Sequence, residues 1–117
     1  MRVVLAILAT VLGAAAAQAA DPDGRYQLLG AGTVTCQAYT NATEEQRVYA
    51  ATWWAGYITA MNRATPDTYH LMGETPPEQV NEMLRKYCGD NPNDRFAIAV
   101  HKVVEQLYPK RTRKKPS

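Results

Sequence analysis

The strongest nucleophiles in this chain are two thiols, Cys36 and Cys88, and no other cysteine accompanies them. A redox or catalytic thiol needs a nearby positive group to hold it as thiolate, or a C-x-x-C partner. Neither stands beside these two residues. In an oxidising compartment a lone pair reads as a disulfide. Closing a loop of about 50 residues contributes roughly 4 kcal/mol on the chain-entropy account. The remaining groups with chemistry do not assemble. His70 and His101 sit in different elements with no metal-ligand spacing around either. His101 and Glu105 form an i,i+4 pair, which reads as a solvated pair rather than as the edge of a metal site. Glu44-Glu45 is accounted for by helix capping. The reading is therefore no enzyme, no catalytic or metal residues and no cofactor, and attention moves to binding.

Binding needs exposed apolar area, and Trp53, Trp54 and Tyr57 form an aromatic cluster one helical turn long. Adjacent helical positions cannot both point inward, so one Trp is expected at the boundary. The cluster reads either as core plus boundary, or as an exposed Trp and Tyr that form an apolar contact surface for a second subunit or a client. Gly30-Ala31-Gly32 lacks the third glycine and the following long helix of a phosphate loop. Asn41-Ala42-Thr43 matches a glycosylation sequon, taken here as coincidence beside a bacterial-type export signal.

That signal is the first element. Met1-Arg2 is a short positive start, 3–17 is apolar, and Ala17-Gln18-Ala19 is a small-x-small cleavage pattern, with the cut expected after Ala19. About fifteen apolar residues fall short of the roughly 20 a span needs. The Ala-rich style points to a Gram-negative periplasm, with no stable membrane insertion. Residues 20–34 form an irregular arm with Tyr26, Leu28 and Leu29 as expected anchors, 35–109 a helical domain, and 110–117 a basic tail.

Within the domain, Thr35 caps a short helix over 36–39. Thr43 and Gln46 make a capping box for a helix running to about 63. Its expected inner stripe is Val48, Ala51, Ala55 and Ile58, widened by Trp54 and Met61. Gly56 is expected to let a backbone or a Trp ring approach. Residues 64–74 read as a polar connection. Thr75-Pro76-Pro77-Glu78 opens a third helix as a second capping box, with Val80, Met83, Leu84, Tyr87 and Cys88 inward and Gly89 as its C-terminal cap. Asn91-Pro92 opens a fourth, with Asp94 in its first turn and Phe96, Ala99, Val100, Val103, Val104 and Leu107 on its inner face, ended by Pro109. No alternating strand pattern competes. The fold class is all-α: three main helices and a short N-terminal one, stapled by a disulfide.

Charge is segregated. Of 13 Lys/Arg, Arg2 leaves with the signal, and the other 12 against 11 Asp/Glu give +1. Five of the cations lie in 110–115, so the body carries 7 against the same 11, a net of −4. Such a tail is expected to be solvated and disordered, or to fold back on the acidic body. Export argues against nucleic acid as a partner. Full protonation of the carboxylates and both histidines would carry the chain to about +14, a self-repulsion that loosens compact states.

Thr35-Cys36, Trp54-Ala55-Gly56-Tyr57 and Tyr87-Cys88-Gly89-Asp90-Asn91-Pro92 together resemble the HdeA/HdeB family of small periplasmic acid-stress chaperones, over residues 33–107. The resemblance implies a helical fold with one bridge at Cys36 and Cys88, and a homodimer that loosens in acid. It also implies apolar surface that then holds unfolded proteins, with Trp53, Trp54, Tyr57 and Ile58 the client-binding residues. The basic tail is similar to that family's lysine-rich termini. The 21–33 arm and the long aromatic second helix depart from its pattern. A second resemblance, of 77–109 to the Tai/Rap periplasmic immunity proteins, implies instead one tightly bound protein partner, a secreted cell-wall-degrading toxin.

Overall fold

The computed structural model describes residues 20–117; the expected export signal and its cut lie outside them. Four helices follow in order: α1 (Cys36–Thr40), α2 (Glu44–Ala64), α3 (Pro77–Asp90) and α4 (Phe96–Leu107), with short 3₁₀ turns at Gly30–Thr33 and Tyr108–Lys110. Among the described residues there is no strand, only two isolated bridges, Thr35 with Arg95 and His70 with Thr112.

The helix starts follow from local chemistry. Thr35 Oγ1 accepts from the Ala38 amide at 3.2 Å and caps α1. At α2, Thr43 Oγ1 accepts from the Gln46 amide at 3.2 Å, and Gln46 Oε1 accepts from the Thr43 amide at 2.9 Å. Two free N-terminal amides are thus satisfied reciprocally. The second expected box is absent: α3 begins after Pro76 with no side-chain cap. Pro76 and Pro77 have no N–H, so fewer donors remain there for Thr75 to serve.

α3 also runs past its expected end. Gly89 and Asp90 are helical, and Asn91 closes the helix instead. Its backbone amide and side-chain Nδ2 both donate to Tyr87 O, each at 2.9 Å. α4 starts later than Asn91-Pro92 suggests, because 91–95 has another task. The Asp94 carbonyl accepts from Cys36 N at 2.7 Å and the Pro92 carbonyl from Gln37 N at 2.9 Å. These are the free amides at the start of α1. Phe96 N returns a bond to Val34 O at 2.8 Å. The connection is a turn, closed by Asp94 N donating to Asn91 O at 3.1 Å, laid against the start of α1, and a helix there would withdraw those carbonyls.

The Cys36–Cys88 bridge is formed, with a Cα–Cα distance of 4.6 Å and both residues fully buried. It joins the start of α1 to the last turn of α3, across 52 residues of sequence. Around it Leu84, Phe96, Val100, Val103 and Leu107 are sealed from solvent. Fully burying an aliphatic or Phe side chain is worth about 1.5–3 kcal/mol. α4 gives its whole expected inner face to this core, and α3 gives Val80, Leu84 and Cys88, with Met83 and Tyr87 half-covered at its edge.

Three expectations fail elsewhere. On α2 the buried positions are Ala50, Trp54 and Ile58, with Ala51, Trp53, Tyr57 and Met61 half-covered. Val48 is 61% exposed, and Ala55 also faces solvent. The stripe turns about the helix to follow the large rings, which gain most from burial. The 64–74 connection is not merely polar, since Leu71 and Met72 are in the core. The basic tail is not free through its first half. His70 and Thr112 exchange backbone bonds of 3.0 and 2.9 Å, and Tyr69 N donates to Thr112 O at 2.9 Å. Arg113 pairs with Asp67. Gly73, at φ +54°, leaves room for the Lys110 carbonyl where a Cβ would collide.

Candidate client-binding surface

α2 carries the site candidates on two adjoining faces. Trp54 and Ile58 point into the core at 5% and 3% exposure, and Trp54 Nε1 donates to Asn81 Oδ1 on α3 at 3.0 Å. Trp53 and Tyr57, one turn apart, stack with centroids 5.7 Å apart on the neighbouring face. Trp53 also tilts against Phe96 at 6.0 Å. The structure therefore divides the four candidate residues: two belong to the core, and two lie at its boundary.

Of the boundary pair, Trp53 is covered by the arm. Trp53 Nε1 donates to Leu29 O at 2.8 Å. Gly32 is buried with its Cα against the indole, and a Cβ there would overlap the ring. Arg95 Nη1 holds the next carbonyl, Thr33 O, at 2.7 Å. This corrects the expected anchoring at two of its three positions. Tyr26 and Leu29 are 67% and 72% exposed, while Leu28 is half-buried. The arm is fixed by its backbone and by the absence of side chains at 30 and 32. The close approach expected at Gly56 occurs instead at Gly32; nothing lies within 4 Å of a Cβ placed on Gly56.

Tyr57 continues into a polar chain on the solvent side. Its hydroxyl meets His101 Nδ1 at 3.0 Å, His101 Nε2 lies 3.3 Å from Glu105, and Lys102 Nζ lies 3.0 Å from the same carboxylate. Burial pushes the Tyr57 hydroxyl up from its ordinary range. Glu105 is held below the usual carboxylate range, first by the Lys102 hydrogen bond and then by the charges of Lys102 and His101. In the imidazole form with its proton on Nε2, facing the carboxylate, Nδ1 accepts from the Tyr57 hydroxyl. Among the described residues no three His, Cys, Asp or Glu side chains gather as a metal site.

A second apolar area was not legible in the sequence. A hollow of about 380 Å³ opens between the arm, α1 and α2, lined by Ala31, Val34, Ala38, Tyr39 and Tyr49 among others. Tyr49 is 68% exposed, and Val48 stands beside it in sequence. The only sequence signal was that an aromatic and a β-branched residue precede Ala50, off the buried face.

A single bridge, a buried α1–α3–α4 corner and an aromatic α2 under an N-terminal arm form the setting for the comparison with known proteins. The HdeA/HdeB family matches residues 2–97. The chain belongs to that family. The match runs through the 21–33 arm and all of α2, which corrects their reading as departures from the family pattern, and it ends as α4 begins. HdeA/HdeB proteins are periplasmic acid-stress chaperones that act on unfolded clients, and they are not enzymes. No curated protein and no solved structure matches the chain.

Proposed function

We propose that this HdeA/HdeB-family protein, released into the periplasm by a cut after Ala19, holds acid-unfolded proteins in solution through apolar surface kept covered at neutral pH. The observation that carries the reading is the seat of Trp53 and Tyr57. They lie stacked, with Trp53 under an arm attached by one indole hydrogen bond, one arginine-to-carbonyl bond and glycine contacts. Removing that arm bares the Trp53 indole beside Tyr57 without dismantling the disulfide corner. Trp54 and Ile58 follow only if α2 itself parts from the core, which makes a second, larger stage of exposure. Two copies pairing at neutral pH would cover the exposed Tyr49 face as well.

Acid supplies the drive. Loss of the carboxylate charges and protonation of both histidines leave up to about +14 on a chain that is near neutral at pH 7, and like-charge repulsion favours expanded monomers. The test is tryptophan fluorescence with light scattering of the oxidised protein, from neutral pH to about pH 2, with and without an acid-labile client. The expected result is a reversible red shift, a fall in mass from dimer to monomer and suppressed client aggregation over the same pH interval. A protein that stays compact, or unfolds while its client still aggregates, would sink the reading. Capture of one folded toxin at neutral pH would replace it with the immunity role.

A further inference from the structure

The C-terminal residues gather cations and exposed phenols at one end of the molecule. Lys110, Lys114 and Lys115 make no ion pair among the described residues. Arg111 is bonded only to neutral groups. Its Nε donates to Thr68 Oγ1 at 3.0 Å and its Nη1 to Tyr108 O at 3.0 Å, and its guanidinium lies 3.9 Å over the Tyr108 ring. Only Arg113 is neutralised, by Asp67. Lys110, Arg111 and Arg113 are held in place, because Thr112 among them is bridged to His70 and Arg113 pairs with Asp67. The same bridge brings Tyr69 alongside. Tyr69 and Tyr108 are 47% and 44% exposed.

We infer that this end of the molecule is a peripheral contact for an anionic lipid surface. Cations alone would suit any polyanion. The two tyrosines narrow the choice, because a ring with an apolar body and a polar tip favours the headgroup layer. Each Lys or Arg close to such a surface is worth about fivefold in partition. The contact stays peripheral, since no helix among the described residues is long and apolar enough to cross a membrane.

Acid strengthens the contact. The charged or titratable groups facing the tail from the packed connection are Asp67, His70 and Glu74, the last sharing a polar hollow with Lys110. As pH falls into the ordinary carboxylate range the body as a whole becomes less negative, while a phosphodiester headgroup remains anionic. The net −4 body, which opposes approach at neutral pH, then stops doing so.

The exported protein, purified from the periplasm, is sedimented with vesicles of phosphatidylcholine alone or with about one third phosphatidylglycerol, at about pH 7 and about pH 4, over a salt series. Binding is expected only to the anionic vesicles, tighter at the lower pH and weakened by salt. Lys110→Gln/Lys114→Gln/Lys115→Gln should lose about a hundredfold in partition, from three charges at about fivefold each. Tyr69→Ala/Tyr108→Ala should lose several-fold and keep the salt slope, with circular dichroism verifying that both variants fold. Equal binding to neutral vesicles, or an unchanged triple variant, overturns the inference. So does displacement by inorganic phosphate beyond that by chloride of equal ionic strength, which would assign the tail to free phosphate. Retention on heparin with no sedimentation with lipid overturns it in favour of an acidic polymer.

Discussion

Two parts of this small domain are held in opposite ways. The corner where α1, α3 and the start of α4 meet is closed by a covalent bridge, by backbone bonds from 92–96 to 34–37, and by Cys36, Leu84, Cys88 and Phe96 with no exposed surface. The arm over α2 has one indole hydrogen bond, one arginine-to-carbonyl bond and a glycine resting on a ring. Both cover aromatic surface, and Phe96 and Trp53 even touch across the boundary. Local opening follows contact density, so the arm belongs to the low-stability end of the molecule and the corner to the high end. A chaperone that must uncover apolar surface without losing its frame needs both.

The largest effect should come from attacking the corner. Reduction of the bridge, or Cys36→Ser/Cys88→Ser, should lower unfolding stability by roughly 4 kcal/mol, read as a fall in the urea midpoint. A loss below about 1 kcal/mol would mean that packing, not the bridge, holds the corner. The arm is attacked at Gly32. Gly32→Ala drives a methyl into the Trp53 indole and should cost about 1–3 kcal/mol, the usual range for overpacking. The sharper readout is exchange of the two indole N–H protons. Trp53, bonded to the arm, should exchange faster in the variant, while Trp54, bonded to Asn81, should not change. Equal acceleration of both would erase the distinction between the regions.

Gly56 is the control. It is helical, exposed and without neighbours within 4 Å of a Cβ. Gly56→Ala should therefore stabilise by about 1 kcal/mol, the helix-propensity difference, and leave indole exchange at Trp53 relative to Trp54 unchanged. The smallest effect lies on the polar chain beyond Tyr57. Glu105 is held in the fold below its ordinary value of 4.5. Its contribution is thus present above that value and is lost as pH falls through the lower, folded one. Glu105→Gln should slightly lower the urea midpoint near neutrality and flatten its fall in acid. An unchanged acid limb would remove Glu105 from the acid response.

Much of the frame was legible in the chain. Thr35 and the Thr43–Gln46 box mark real helix starts, and the inner faces of α3 and α4 are as their spacing says. These signals are local, or repeat with the helical period. What escaped depends on contacts across the chain. The face of α2 is ambiguous because Ala, Val and Tyr occur all round it, and only the large rings decide. Leu71 and Met72 look like loop residues until the Thr112 bridge holds their segment against the core. The arm was misread for a related reason: Tyr26 and Leu29 look like anchors, whereas the contact is made by Gly32, where no side chain is present. No periodicity announces a residue whose use lies in what it lacks.

The Thr112–His70 bridge also has a meaning for how the molecule is made. A chain delivered across a membrane N-terminus first can form α1, α2 and α3, and close Cys36 to Cys88, while its end is still on the other side. Asn62 on α2 can already hold Leu71 N, but the backbone of Tyr69 and His70 has no partner until residue 112 has crossed. Pairing of that segment is thus tied to completion of delivery. A chain stalled or clipped short of Thr112 would emerge with its disulfide made and the Tyr69–His70 backbone unpaired.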